Sequence, residues 1–369
     1  MPANDEACWI WRIRQGQQSP GGLIRIYMKR TRIEDIAKEA KVSKATVDRV
    51  IHERGFVREE TVRKVAEAAH KLAYYASGLI DRQLTAPLAR VRLGFLLIKE
   101  RQEFYQSFSK ELIRAVADRQ DFRGEVTIRY SPSQSPADFA TIMRELATHT
   151  EAIACTAVNH GIVNEAARSL RQNGVPVFAL LNDFGHGARQ TYIGLDNHKV
   201  GRLAAWMIAM ASRQPGKVAI FLGSNRWQGH ELKEAGFRSY LSQLRPDLDI
   251  LEPVINLETR KLTHETSVAL LERHPDLRGI YVAGGGMEGA IAALRETRAP
   301  GEVALIVNEL TSVSRAALSD GYATMVIGTP LAQLCRDTVE LMAQNVLQDR
   351  VQMPDAHFLE PQLFLPPSI

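Results

Sequence analysis

Three glycines are spaced to cradle a phosphate. Gly284, Gly286 and Gly289, in GIYVAGGGMEGAIAAL over residues 279–294, spell G-x-G-x-x-G between a strand-like and a helix-like run. In that context the glycines allow a tight turn and let a pyrophosphate approach backbone N–H groups at a helix N-terminus. Glu309 stands at the end of the next apolar run, and together these features would describe a nicotinamide-dependent dehydrogenase. Other chemistries find less support. There is no H-E-x-x-H, no G-x-S-x-G and no Walker loop. Cys8, Cys155 and Cys335 are odd in number and far apart, so neither a disulfide framework nor a zinc cluster is expected, and a reducing compartment is.

A chain of 369 residues, 45% hydrophobic and 24% charged, can bury a large core and is expected to hold more than one domain. The first 27 residues are interrupted by Arg12, Arg14 and Arg25 and contain no apolar core, so a secretory signal is not expected. No later run approaches the ~18 consecutive apolar residues of a membrane span, and a soluble cytoplasmic protein with no membrane partner is expected. Charge is unevenly spread. Met28 to Arg90 carries 14 Lys or Arg against 9 Asp or Glu, a surplus of 5, while the whole chain carries +4. A small basic module on a neutral body fits a polyanion-binding head, although a solvated helical surface has the same composition.

The elements of that module can be placed. Ile33, Ile36, Ala37 and Ala40 share one helix face, with Thr31-x-x-Glu34 in capping-box spacing at its start. Ser43 is an N-cap candidate for a second helix, KATVDRVIHE, with Val47, Val50 and Ile51 at helical spacing. A third, Glu59 to Ala73, turns Val62, Val65, Ala66, Ala69 and Leu72 inward. Two short helices across a tight turn, closed by a third, make a helix-turn-helix domain.

RTRIEDIAKEAKVSKATVDRVIHERGFVREETVRKVAEAAHKLAY resembles the DNA-binding head of LacI-type transcriptional repressors in order and spacing. The resemblance implies that Ser43 to His52 is the recognition helix, with Lys44 and Ala45 facing base edges in the major groove. Thr46 and Arg49 would contact backbone or bases, Arg49 being able to grip guanine O6 and N7 with two bonds. Departures from the family pattern bear on the operator sequence. Lys41 stands where the turn normally has Gly, so a left-handed conformation there would cost about 1 kcal/mol. Asp48 replaces a small hydroxyl residue and would repel phosphate unless paired with Arg49 or accepting from a cytosine amine. Arg58 replaces the hydroxyl cap of the third helix and offers a phosphate contact instead. YYASGLIDRQLTAP occupies the place of the hinge helix that wedges a leucine into the minor groove. Its signature positions are Ser77, Ile80 and Asp81, the wedge position falls on Gln83, and Leu84 is the candidate wedge, with an ordinary linker to Pro87 as the alternative.

After Arg90 the chain alternates strand-like runs, VRLGFLLI, VTIRY, AIACTAV, VPVFALL, KVAIFLG, RGIYVAG and VALIVNE, with amphipathic stretches. Repeated βα units mean doubly wound parallel sheet, and about 270 residues is long for one sheet, so two lobes are expected. PVFALLNDF followed by YIGLDNHKVGRLAAWMI resembles the middle of the periplasmic-binding-protein-like effector domain of the same family. The expected organisation is a tail over 1–27, disordered or arising from an upstream start, then a head over 28–75, a hinge over 76–90 and an α/β effector and dimerisation domain of two lobes over 91–369.

The resemblance also reassigns the glycine turn. A dinucleotide fingerprint belongs in the first βα unit, whereas this one lies late, where the family has a pocket loop beside which Met287 replaces a polar residue. Carried over residue by residue, Phe104 and Tyr105 would stack on a ligand, Asn159 would lie at the pocket edge, and Asp183 would accept hydroxyl hydrogen bonds. Lys233 stands for an Arg and loses its planar fork, Glu309 replaces an Asp, and Gly328 a Gln. Asp196 reads as a helix cap, and His230 and Glu231 as solvated helix residues. The implied function is that of a homodimeric repressor whose affinity for double-stranded operator DNA is changed by a small sugar, polyol or sugar acid, with no cofactor, metal or catalysis. A periplasmic-type solute-binding protein and a dehydrogenase remain the alternatives.

Overall fold

The computed structural model describes residues 31–52, 54, 57–74, 77, 78, 80, 88–348 and 352–369. These fall into two units, within Met1–Pro87 and over Leu88–Ile369. The expectations for residues 1–27 and for Asp81, Gln83, Leu84 and Pro87 lie outside the described residues.

In the first unit, α1 (Ile33–Ala40), α2 (Lys44–Ile51) and α3 (Glu59–Lys71) enclose Ile36, Val47, Val50, Val65 and Ala69, with Leu72 partly buried beside them. The expected capping box does not form. The cap of α1 is Arg32, whose N–H is held by Asp35 Oδ2 at 3.0 Å, while Thr31 donates its hydroxyl to Leu72 O at 2.7 Å and so ties the start of α1 to the end of α3. Ser43 caps α2 as its spacing predicts, its Oγ accepting from Thr46 N at 3.1 Å. Lys41 ends α1 at φ 55°, ψ 41°, the left-handed geometry that the turn demands.

The second unit carries two sheets. The first runs β12-β5-β4-β3-β1-β2, all parallel, from β1 (Arg90–Ile98), β2 (Arg123–Ser131), β3 (Ala152–Cys155), β4 (Val177–Leu180), β5 (Tyr192–Leu195) and β12 (Ala356–Leu359). The second runs β13-β11-β10-β9-β6-β7 from β6 (Gly216–Leu222), β7 (Leu248–Ile250), β9 (Leu277–Val282), β10 (Ala304–Asn308), β11 (Met325–Gly328) and β13 (Gln362–Phe364), with β8 (Val254–Ile255) also on β6. Only the β11–β13 pair is antiparallel among these pairings. Strands such as β3, β4 and β10 are buried throughout, which is why they appear in sequence as unbroken apolar runs.

Helices α4 (Glu103–Ala117), α5 (Pro136–Ala147), α6 (Gly161–Gln172), α7 (Asn197–Ala211), α8 (Gln228–Leu244), α9 (Arg260–Arg273), α10 (Met287–Thr297), α11 (Ser312–Ser319) and α12 (Leu331–Leu347) cover the sheets. Helix α7 follows β5 but packs on α8, β9 and β10, and α12 follows β11 but packs on α4, β1 and β3. The chain therefore crosses between lobes after β5, after β11 and again between β12 and β13, where only Glu360 and Pro361 intervene. Parallel strands of both lobes direct their carboxyl ends, where α/β ligand sites form, toward the gap between the sheets.

Candidate functional site

A cavity of about 440 Å³ lies between the lobes, within the ~300–1,000 Å³ usual for small-molecule sites. Lobe one supplies Lys99 and Tyr105 around the end of β1, Thr156 after β3 and Asn182 after β4; lobe two supplies His230 and Lys233 of α8, Glu258 after β8, and Glu309 after β10. Four lining residues other than glycine take left-handed backbone: Lys99 (φ 51°), Leu181 (63°), Glu258 (53°) and Glu309 (67°). Such residues cost on the order of 1–3 kcal/mol each and persist where the surroundings dictate them, typically at ligand clamps.

A salt bridge joins the lobes at the cavity wall. Lys99 Nζ lies 2.5 Å from Glu258 Oε2, with the two side chains only 19% and 9% exposed. Burial alone would raise the Glu258 carboxyl, but Lys99 and His230 nearby, with the Gly285 N–H at 3.0 Å, hold it at about 2. Burial pushes His230 down to about 4, so its ring is neutral at pH 7. Its Nδ1 accepts from Gly223 N at 3.1 Å, which assigns the proton to Nε2, 3.7 Å from Glu258 Oε1. Burial lowers Lys233 to about 8 against the opposing pull of Glu309 and Glu258, and its ammonium donates to Ala283 O at 2.9 Å. Burial likewise raises the Glu309 carboxyl, while Thr329 opposes the shift through its hydroxyl at 2.6 Å and its N–H at 3.0 Å. The result is a cavity of mixed hydrogen-bonding groups whose inner charges are matched. Among the described residues no group of three or more His, Cys, Asp or Glu is placed to hold a metal.

The glycine fingerprint has another explanation here. Gly285 N, one of the N–H groups a phosphate would use, already donates to the Glu258 carboxylate. A Cβ at Gly284 would lie 2.5 Å from the His230 ring and 2.8 Å from Glu258 Oε1, and one at Gly289 would lie 2.2 Å from Arg260 O across the α9–α10 contact. Gly286 sits at φ 93° as the cap of α10. Each glycine is required by packing or backbone geometry, and the buried carboxylate facing the loop would repel a pyrophosphate.

The residues expected at the effector site are partly brought together. Phe104, Tyr105, Lys233, Met287 and Glu309 all line the cavity. The Phe104 and Tyr105 rings meet edge to face, 5.1 Å apart. Asp183 does not line it: its carboxylate is taken by the buried Arg189, with Oδ2 2.7 Å from Nη2, and Arg189 also binds Asp355. The neighbour Asn182 lines the cavity instead, accepting from Gly229 N of the other lobe at 2.9 Å. Asn159 also stays outside, engaged with Gln228 at 3.2 Å and Asn164 at 3.0 Å. His230 is buried rather than solvated, whereas Glu231 is exposed and Asp196 caps α7 through Lys199 N at 3.1 Å. Sequence reasoning missed Lys99, Glu258, Thr156, Arg101 and Arg260. The charged Lys99 closing the apolar run LLIK is a signal for the first; nothing local marks Glu258.

On the first unit, Ser43, Lys44, Ala45, Arg49, His52 and Arg58 are exposed and Thr46 half-buried. Lys44 pairs with Glu34 at 2.6 Å, and Arg49 folds back on Ala45 O at 3.3 Å. Asp48 lies 3.4 Å from His52 Nε2 rather than pairing with Arg49. Exposed pairs of this kind are weak and readily exchanged for other partners. No side-chain hydrogen bond caps α3 at Arg58.

Comparison with known proteins follows the same division. The periplasmic binding protein domain family matches residues 93–349, and the lacI family of bacterial regulatory proteins matches residues 32–77. The HTH-type transcriptional regulator RegA of Clostridium acetobutylicum is 37% identical over 86 residues, which cover 23% of this chain and 24% of RegA, so the match spans about a quarter of that relative's length. The HTH-type transcriptional regulator GntR of Pseudomonas aeruginosa is 24% identical over 283 residues, 75% of this chain and 79% of the relative. A solved periplasmic solute binding protein of an ABC transporter from Actinobacillus succinogenes, with bound D-allose, superposes with a TM-score of 0.69 at 16% identity, covering 75% of this chain and 98% of that one. At that identity the likeness speaks for the fold of the second unit. The chain thus belongs, over more than half of its length, to the periplasmic binding protein domain family, and it carries a head matching the lacI family of bacterial regulatory proteins in front of that domain.

Proposed function

We propose that this protein is a ligand-responsive DNA-binding transcriptional regulator, a repressor in the ordinary case, rather than an enzyme. The observation that carries the reading is the presence on one chain of a helix-turn-helix with an exposed cationic helix and of a cavity closed by contacts from two lobes. On this reading a cytoplasmic homodimer presents two heads to half-sites of double-stranded operator DNA. Ser43, Lys44, Ala45, Thr46, Arg49, His52 and Arg58 contact DNA, with Leu84 as the minor-groove wedge. A small sugar, polyol or sugar acid binds against Phe104, Tyr105, Lys233, Met287 and Glu309. The D-allose held by the solute binding protein of similar fold supports a hydroxyl-rich ligand. The ligand binds the closed lobes better than the open ones, and that difference in affinity alters how the heads engage DNA.

The head favours a regulator over a solute-binding protein, and the occupied Gly285 N–H disfavours a dehydrogenase. The test is selection of binding sites from random DNA with the full chain, followed by gel shift with a panel of sugars and polyols and with NAD. Retention on a two-fold symmetric site, altered by a panel member, is expected. NAD binding without DNA binding would overturn the reading.

A further inference from the structure

The inner charges of the cavity answer one another: Lys99 is bonded to Glu258, and Lys233 lies in the field of Glu309. Two guanidinium groups are left over. Arg101 precedes α4 in lobe one and Arg260 opens α9 in lobe two; both line the cavity, and neither makes a hydrogen bond or ion pair among the described residues. Both stand at helix N-termini where the cap residue, Gln102 or Thr259, provides no side-chain hydrogen bond.

Helix α9 makes the anomaly plain. It begins Arg260-Lys261 with no acid in its first turn, a placement opposed by the helix dipole. Lys261 is offset by Glu265 at 3.8 Å, but Arg260 has no such partner. Local conflicts of this sort mark places where function overrides stability. Two acids share the mouth with the arginines, and neither forms an ion pair with Arg101 or Arg260 among the described residues. Glu103 is engaged by Ser312 N at 3.1 Å and by Ser312 Oγ at 2.7 Å, leaving the half-buried Glu288. Deeper in, the Thr156 hydroxyl lines the cavity, is 2% exposed and has no hydrogen-bond partner, an unmet need that a bound ligand's hydroxyl would satisfy.

We infer that the effector is an acidic one: a hydroxyl-bearing skeleton carrying a carboxylate or phosphate, held by Arg101 from lobe one and Arg260 from lobe two. Planar guanidinium groups at two uncapped helix starts suit such an oxyanion group, and an anion shared between lobes favours the closed cleft directly. This rests on the effector reading of the cavity given above.

The experiment is calorimetric titration and thermal shift of the full chain with D-glucose, D-glucuronate and D-glucose 6-phosphate, and with D-galactose, D-galacturonate and D-galactose 6-phosphate. At least one acidic member should bind about tenfold or more tightly than its neutral parent, with affinity falling as salt rises. The carboxylate and phosphate arms tell which group the site takes. That advantage should vanish in R101M/R260M and be reduced in R101K/R260K, which keeps the charges but loses the forks. Both arginines are exposed, and the melting temperature without ligand checks that the variants fold. Equal binding of neutral and acidic partners overturns the inference and leaves the effector reading standing. An acid preference that survives R101M/R260M also overturns it, and binding of none of the six compounds overturns both.

Discussion

Replacing Lys99 by methionine should loosen the closed cleft. The substitution keeps the length of the side chain but leaves Glu258 buried against the Gly285 N–H with its main counter-charge removed. The difference between an ordinary carboxyl at 4.5 and one held at about 2 corresponds to about 3 kcal/mol. Breaking one side of a buried pair costs a similar ~3–5 kcal/mol. Because the partners belong to different lobes, the cost falls first on closure, since opening lets water reach the carboxylate. A loss of about 3 kcal/mol would shift the closure equilibrium by about a hundredfold. Trp227 reports it: the indole of this lobe-two residue, 4% exposed, donates to Gln134 Oε1 of lobe one at 3.2 Å. In a background lacking Trp9, Trp11 and Trp206, K99M should red-shift Trp227 emission and expand the particle in X-ray scattering. K99M/E258L, which removes both charges, should recover much of the closed state. The depressed Glu258 carboxyl adds a sign: its contribution is present above pH 4.5 and is lost as pH falls toward 2. Unchanged emission and scattering in K99M would refute the idea that this pair holds the lobes together.

Other outcomes follow from the same geometry. Arg49→Ala should weaken operator binding by about 1–3 kcal/mol if the contact is to a base, measured by gel shift across site variants; unchanged affinity removes Arg49 from the interface. Lys41→Gly should stabilise the head by up to about 1 kcal/mol by relieving the residue at φ 55°, read from denaturant unfolding. Lys233 is lowered from 10.5 to about 8, so the unfolded chain binds the extra proton between those values and stability should rise as pH increases from about 8 to 10.5. Lys233→Met should abolish that rise in the ligand-free protein, and a rise of equal size in the variant would assign it elsewhere.

The sequence revealed much of this organisation because its signals are local. Helical spacing and a hydroxyl cap define α2, and β3, β4 and β10 are apolar throughout because both faces of each strand are covered. The pocket was harder for the opposite reason. Glu258 reaches its site through a left-handed backbone in a segment with no periodicity, and its role depends on Lys99, 159 residues away. At Asp183 and Asn182 a shift of one residue exchanges a cavity-lining amide for a carboxylate consumed by Arg189. His230 sits in a polar run, QGHELKE, and nothing in that composition forecasts a buried neutral ring. Short strands such as β5 and β11 were overlooked as strands because four apolar residues look alike in a strand, a helix or a turn.

The two-residue passage from β12 to β13 has a consequence for biosynthesis. Strand β12 completes the first sheet by pairing with β5, yet it is made only after the whole run from β6 to β11. A nascent chain therefore holds an unfinished first lobe, its β5 edge uncovered, while the second lobe is being assembled. Neither lobe can be cut out as one uninterrupted stretch, and a chain ending before residue 356 would lack β12 and β13, an edge strand of each sheet.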